Sequence, residues 1–246
     1  MLPILLVIVG AAAAGFVQGL SGFAFGLVAM AFWVWAVPPQ LLGPMVVFGS
    51  LVGQLIGMGK VRRGFDLARA SPFILGGMAG IPLGVAILGY IDPDWFKFCV
   101  GLLLVVYCPV MLFMSGLPHI SAGGRVADGL VGAIGGVMGG LGGLTGPAPT
   151  LWCSLRGWPK DQQRAVFQSF NLTMHVLTLA AYAAAGMLTA QAGHMFLIVA
   201  SAMVVPTLAG AWLYGKADDR QFRTLVLALL GASGLAMLAA ALPGIA

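Results

Sequence analysis

The chain has 246 residues, of which 60% are hydrophobic and 8% charged, and its formal net charge is +5. Soluble domains carry about 25% charged residues, so an aqueous globular domain is excluded. Nucleic-acid binding is excluded as well, because the Lys and Arg residues form no basic patch with interleaved aromatics. Long apolar runs separated by short charged gaps instead predict an all-α, polytopic transmembrane bundle in contact with membrane lipid.

The first run, residues 3–36, begins with apolar and small residues but has no positively charged n-region. Its apolar character continues well beyond a signal sequence, so it reads as mature protein. A single helix of that length would measure about 50 Å, against a hydrocarbon core of about 30 Å. A broken helix or re-entrant hairpin is therefore expected. Three single crossings follow, at 38–59, 70–91 and 95–117. A second anomalous segment, 127–155, is dense in glycine and carries Pro147 and Pro149. It too reads as broken, and is followed by crossings at 165–189, 193–215 and 222–243.

The charges arbitrate between topologies. If all eight segments cross once, five Lys and Arg fall on one side and seven on the other. If both anomalous segments enter and leave on the same side, eleven gather on one face and Lys97 alone lies opposite. The eleven are Lys60, Arg62, Arg63, Arg69, Arg125, Arg156, Lys160, Arg164, Lys216, Arg220 and Arg223. The second distribution is what a cytoplasmic face shows. It places both termini outside the cytoplasm.

The two anomalous segments also resemble each other. Gly15-Phe-Val-Gln-Gly-Leu-Ser-Gly22 aligns with Gly136-Val-Met-Gly-Gly-Leu-Gly-Gly143, and the same offset aligns Pro38 with Pro159. A hairpin plus three crossings is an odd number, so the second copy is inverted. Residues 1–121 form the first repeat and 122–246 the second, within one integral membrane domain. Inverted repeats with matching interrupted helices point to a secondary transporter. Gly76, Gly80 and Gly84, by contrast, read as a helix-packing ridge.

In its paired glycine-rich segments, its Gly76-Gly80-Gly84 helix with Pro82, and its length, the sequence resembles the TauE/SafE family of sulfite exporters, membrane permeases. The resemblance covers essentially the whole chain. It implies a transporter that exports sulfite, sulfoacetate or other organosulfonates across the bacterial inner membrane. The alternative is a non-catalytic membrane subunit or channel-like uptake component that works with a partner protein.

No Asp, Glu, Lys or Arg is expected deep in a span, so a sulfur oxyanion or sulfonate would be held by neutral donors. Glycine-rich starts of half-helices supply free N–H groups and a partial positive charge. The candidate binding residues are Gln18, Gly19, Ser21 and Gly22 in the first segment, and Gly142, Gly143 and Thr145 in the second. The spans that follow add Ser50 and Gln54, which align with Asn171 and His175. Each pair is four residues apart and shares a helix face. His175 is the titratable side chain expected at depth, which leaves proton coupling open; a homodimer is likewise open. Phe23, Phe25, Trp33, Trp35 and Trp152 read as belt or packing aromatics, and His119 and His194 as solvated residues in or near loops. Cys99, Cys108 and Cys153 lack metal or redox spacing and read as packed thiols. The scattered methionines suggest no metal traffic. With no nucleotide-binding motif and no nucleophile–base or metal constellation, neither a cofactor nor an enzyme activity is expected.

Overall fold

The computed structural model describes residues 2–22, 24–58, 66–113, 120, 122–213 and 219–245. Among them the regular structure is helical throughout. The helices are α1 (Leu2–Ser21), α2 (Phe25–Trp33), α3 (Pro39–Met58), α4 (Leu67–Tyr90), α5 (Pro93–Leu112), α6 (Gly124–Gly142), α7 (Pro147–Leu155), α8 (Lys160–Ala184), α9 (Ala190–Leu213) and α10 (Asp219–Ile245). Both anomalous segments are interrupted, and they are interrupted alike. A helix of 20 residues precedes one of 9 in the first, and a helix of 19 precedes one of 9 in the second. The first helix of each ends at a glycine in the left-handed region, Gly22 at φ 84° and Gly143 at φ 72°. Such a residue terminates a helix and redirects the chain.

The short helices double back. Trp33 at the end of α2 donates its indole N–H to Val7 O near the start of α1 (3.1 Å), while Phe25 at the start of α2 donates its backbone N–H to the Gln18 side chain near the end of α1 (2.9 Å). Falling numbers on α1 thus meet rising numbers on α2, which is an antiparallel hairpin. The second hairpin closes in the same way. The Trp152 indole donates to Asp128 Oδ1 (2.7 Å), and Ile120 N donates to Leu155 O (2.7 Å). Here the acceptor is a carboxylate, and Arg156 lies 3.6 Å from it with both side chains largely buried. The Arg156 guanidinium also sits over the rings of Trp152 and Trp158.

Glycine sets the long-helix packing. A Cβ on Gly76, Gly80 or Gly84 of α4 would run into the α6 carbonyls of Gly129, Ala133 or Val137. The rising pairs show that α4 and α6 are parallel and in backbone contact, the geometry that small residues permit. The same relation holds between α1 and α9, where Gly15 abuts Met203 and Gly19 abuts Thr207. Phe25 and Gly26 of α2 face Gly49 and Val46 of α3, so α2 is antiparallel to α3 and α1 is parallel to it. Gly43 of α3 faces Leu88 of α4, which makes that pair antiparallel. It follows that α6 runs opposite to α1.

Among the described residues six helices are long and apolar enough to cross a membrane: α1, α3, α4, α5, α9 and α10. The observed ends agree with the expected crossings to about a turn and a half. One expected crossing, α8, falls short of that apolar standard despite its 25 residues. The reason is its polar content, which is turned into protein: Ser169, Asn171, His175 and Thr178 are buried. Buried polar groups are tolerated at membrane depth when they face neighbouring helices or a cavity. Among the described cations, Arg69 pairs with Asp66 at the start of α4, Arg125 reaches Ser71 on the same turn of the bundle, and Arg156 meets Asp128 at the base of the second hairpin. Lys97 pairs with Asp94 at the other end (3.0 Å). Lys60, Arg62, Arg63, Lys216, His119 and Phe23 lie outside the described residues, as do the side chains of Lys160, Arg164, Arg220 and Arg223.

Candidate functional site

Each hairpin tip lies level with the middle of the long helix that follows it. The first tip is fixed by Gln18, whose Oε1 accepts from Phe25 N and whose Nε2 donates to Ser50 O of α3 (3.2 Å). The second is fixed by Thr145, whose hydroxyl donates to Asn171 Oδ1 of α8 (2.8 Å). The tips meet. A Cβ on Gly26 would lie 3.2 Å from Leu144 and 3.3 Å from the Gly143 carbonyl, and one on Gly142 would collide with Met30 of α2.

Between the tips is a small cavity. Its walls are Gly26 and Leu27 from the first turn of α2, Ser50 from α3, residues Gly143 to Pro147 from the second tip, and His175 from α8. Its volume, traced by the centre of a water molecule, is about 10 Å³, which is room for about one water. Two nine-residue helices start at this point, and neither has a side-chain cap from its own N-cap residue, Ala24 or Gly146. Among the described residues no acceptor takes the N–H of Gly26, Leu27, Thr145 or Gly146. The two starts are unequal, because Pro147 and Pro149 have no N–H to offer and leave α7 with Ala148 alone in its first turn. His175 is 5% exposed, and its Nδ1 has no hydrogen-bond partner. Among the described residues no Asp, Glu, Lys or Arg lines the cavity. The chemistry on offer is therefore backbone N–H donation, two helix N-termini worth about half a positive charge each, a hydroxyl and an imidazole.

The candidate residues divide accordingly. Ser50, Gly143, Thr145 and His175 line the cavity. Gln18 and Asn171 stand behind it and hold the tips. Gly22 makes the first turn, and Gly142 packs on α2. Gly19 lies elsewhere, against α9. The Ser21 hydroxyl donates back to Val17 O (2.8 Å), and Gln54 spans to Gln168 O of α8 (3.0 Å). Gly26, Leu27, Leu144, Gly146 and Pro147 line the cavity without having been expected there. The signal that could have found them is the direction of the chain: a helix N-terminus follows the breaking glycine, so the free donors lie after Gly22 and Gly143, not before them. Asp128 is 5% exposed and engaged with Trp152 and Arg156. Among the described residues no three His, Cys, Asp or Glu are grouped for a metal ion.

Six apolar spans among the described residues, a polar helix packed on α3 and α4, and two hairpin tips that meet around a small polar cavity define a multi-pass membrane protein. The family model described as Sulfite exporter TauE/SafE matches residues 6–237. The chain belongs to that family. No match was found among curated proteins or solved structures.

Proposed function

We propose that this chain is a secondary transporter that exports small sulfur-containing anions (sulfite, sulfoacetate or other organosulfonates) across a bacterial inner membrane. The anion binds between the two hairpin tips. Residues 1–121 and 122–246 are inverted repeats related by an axis in the membrane plane, and both termini are extracytoplasmic. The order and lengths of the helices, the paired left-handed glycines at Gly22 and Gly143, and the opposed directions of α1 and α6 support the inversion. The pairings support it too: α1 packs on α9 as α6 packs on α4, and α3 packs on α9 as α8 packs on α4.

The observation that carries the anion reading is the convergence of two half-helix N-termini on one cavity where, among the described residues, the N–H groups of Gly26, Leu27, Thr145 and Gly146 have no acceptor, Gln18 taking only that of Phe25. Helix N-termini of this kind bind anions, and interrupted helices at the repeat interface are where transporters of this plan hold substrate. Because the cavity holds about one water, an anion enters only when a tip moves. That requirement suits alternating access better than an open channel.

The deciding experiment is efflux or counterflow of radiolabelled sulfite in proteoliposomes containing this chain alone. Saturable, protein-dependent flux is expected. Flux that appears only on addition of a second protein would assign the chain to an accessory role.

A further inference from the structure

Resting on that functional reading, we propose that the tip-to-tip site selects compact monoanions, bisulfite and simple alkylsulfonates, over compact dianions, sulfite and sulfate. The first ground is charge. The desolvation cost of an ion grows with the square of its charge, so a dianion costs about four times as much to bury as a monoanion. A buried dianion needs cations, metal ions or a dense shell of donors to offset that cost. Among the described residues the cavity walls hold no Lys or Arg. Their backbone donors are the N–H groups of Gly26, Leu27, Thr145 and Gly146, and the prolines at 147 and 149 remove two more that an unbroken first turn of α7 would have supplied. A shell of that size matches one negative charge, so sulfoacetate, which carries two, would seat only its sulfonate between the tips, with its carboxylate outside them.

The second ground is the acceptor. A fully ionised oxyanion only accepts hydrogen bonds, whereas a protonated one also carries a hydroxyl that must donate. His175 lines the cavity, is 5% exposed, and has an unpartnered Nδ1. A neutral imidazole presents one N–H and one bare nitrogen. Nδ1 is sealed from water in this structure, so it receives the anion's hydroxyl, while the amides hold the charged oxygens, only once a tip has moved to admit the anion. A carboxylate in that place would repel every anion, and an ammonium would favour the dianion. An imidazole does neither.

The pH dependence that follows resides in the substrate. His175 is the titratable side chain on the cavity wall. The charges of the elements packed around it stand at their ends: α2 and α3 carry none, Arg69 of α4 lies in that helix's first turn and pairs with Asp66, and Lys160, Asp161 and Arg164 of α8 stand at least three turns before it in the chain. On the second hairpin, Arg125, Asp128 and Arg156 are at the base, away from the tip.

The test is isothermal titration of the purified full chain with sulfite, methanesulfonate and sulfate, at pH values on both sides of the bisulfite–sulfite ionisation. Methanesulfonate is a permanent monoanion and sulfate a permanent dianion over this range. The expected result is that affinity for total sulfite falls about tenfold per pH unit above that ionisation, as the competent fraction falls. Methanesulfonate affinity should stay flat, and sulfate should bind far more weakly than either. A His175→Leu variant should lose about tenfold in bisulfite affinity and much less in methanesulfonate affinity. Equal binding of sulfate and methanesulfonate, or sulfite affinity that is flat with pH, would overturn the selectivity while leaving the anion site in place. No binding of any of the three would defeat the functional reading and the selectivity with it. A parallel loss of sulfite and methanesulfonate affinity at high pH would place the titration on His175 and overturn the proposal.

Discussion

Gly26→Ala isolates the anion site from the stability of the fold. Gly26 sits in the first turn of α2 with no left-handed φ, so alanine adds no backbone strain there. The new methyl would lie 3.2 Å from Leu144 Cδ2, 3.2 Å from Val46 Cγ1 and 3.3 Å from Gly143 O. These neighbours must yield by a few tenths of an ångström, an overpacking cost of about 1 kcal/mol. Alanine recovers roughly 0.5–1 kcal/mol over glycine within a helix, so the net change in stability should be small. The site fares differently. A methyl group in a gap that holds about one water keeps the second tip and its ligand away from the Gly26 and Leu27 N–H groups. At about 0.5–1.5 kcal/mol for each hydrogen bond lost, binding should weaken by about 1–3 kcal/mol, a factor of about 5–150. Titration calorimetry with methanesulfonate measures the affinity, and thermal unfolding in detergent measures the fold. Parental affinity in a well-folded Gly26→Ala protein would refute the placement of the anion between the tips. Gly143→Val is a poorer probe, since a branched residue at φ 72° with Val46 and Val47 each 2.9 Å away would disturb the tip itself.

Gln18→Leu removes the acceptor of Phe25 N and the second donor to the Ser50 carbonyl of α3; the one buried orphan, Phe25 N–H, costs about 1–3 kcal/mol, so the melting temperature should fall, and an unchanged value would dismiss the staple. Gly80→Val drives a side chain into the Ala133 carbonyl and should lower expression and thermal stability through α4–α6 packing; a stable variant would show that the two helices can separate at no cost. Asp128→Asn keeps an acceptor for Trp152 but strips the charge facing Arg156, at a cost of about 3 kcal/mol for a broken buried pair. It should also speed alkylation of the buried Cys153 in a background lacking Cys99 and Cys108, and an unaltered rate would remove Asp128 from the closure of the second hairpin. Arg62→Cys should react with an impermeant thiol reagent only from the cytoplasmic side; reaction from outside would reverse the proposed orientation.

Hydropathy and chain length sufficed for the helical membrane class, for the two interrupted segments and for the likeness between them. These follow from local physics: a run of 34 apolar residues cannot lie straight in the bilayer, and a glycine can end a helix where other residues cannot. The packing role of Gly76, Gly80 and Gly84 was also legible, because residues four apart share a helix face. What each glycine of the hairpins does was not legible. Gly19 and Gly22 are near neighbours in the chain, yet one presses on the α9 backbone and the other turns the tip at φ 84°. The difference lies in which helix stands opposite, and one-dimensional spacing does not carry that information. The same holds for the polar side chains. Sequence marks Gln18, Asn171 and His175 alike as polar groups at depth. Tertiary structure occupies the first two with holding the tips and leaves His175 on the cavity wall with an unpartnered nitrogen. Composition alone set the neutrality of the centre, whereas the meeting of two helix starts around it required contacts between residues more than a hundred positions apart.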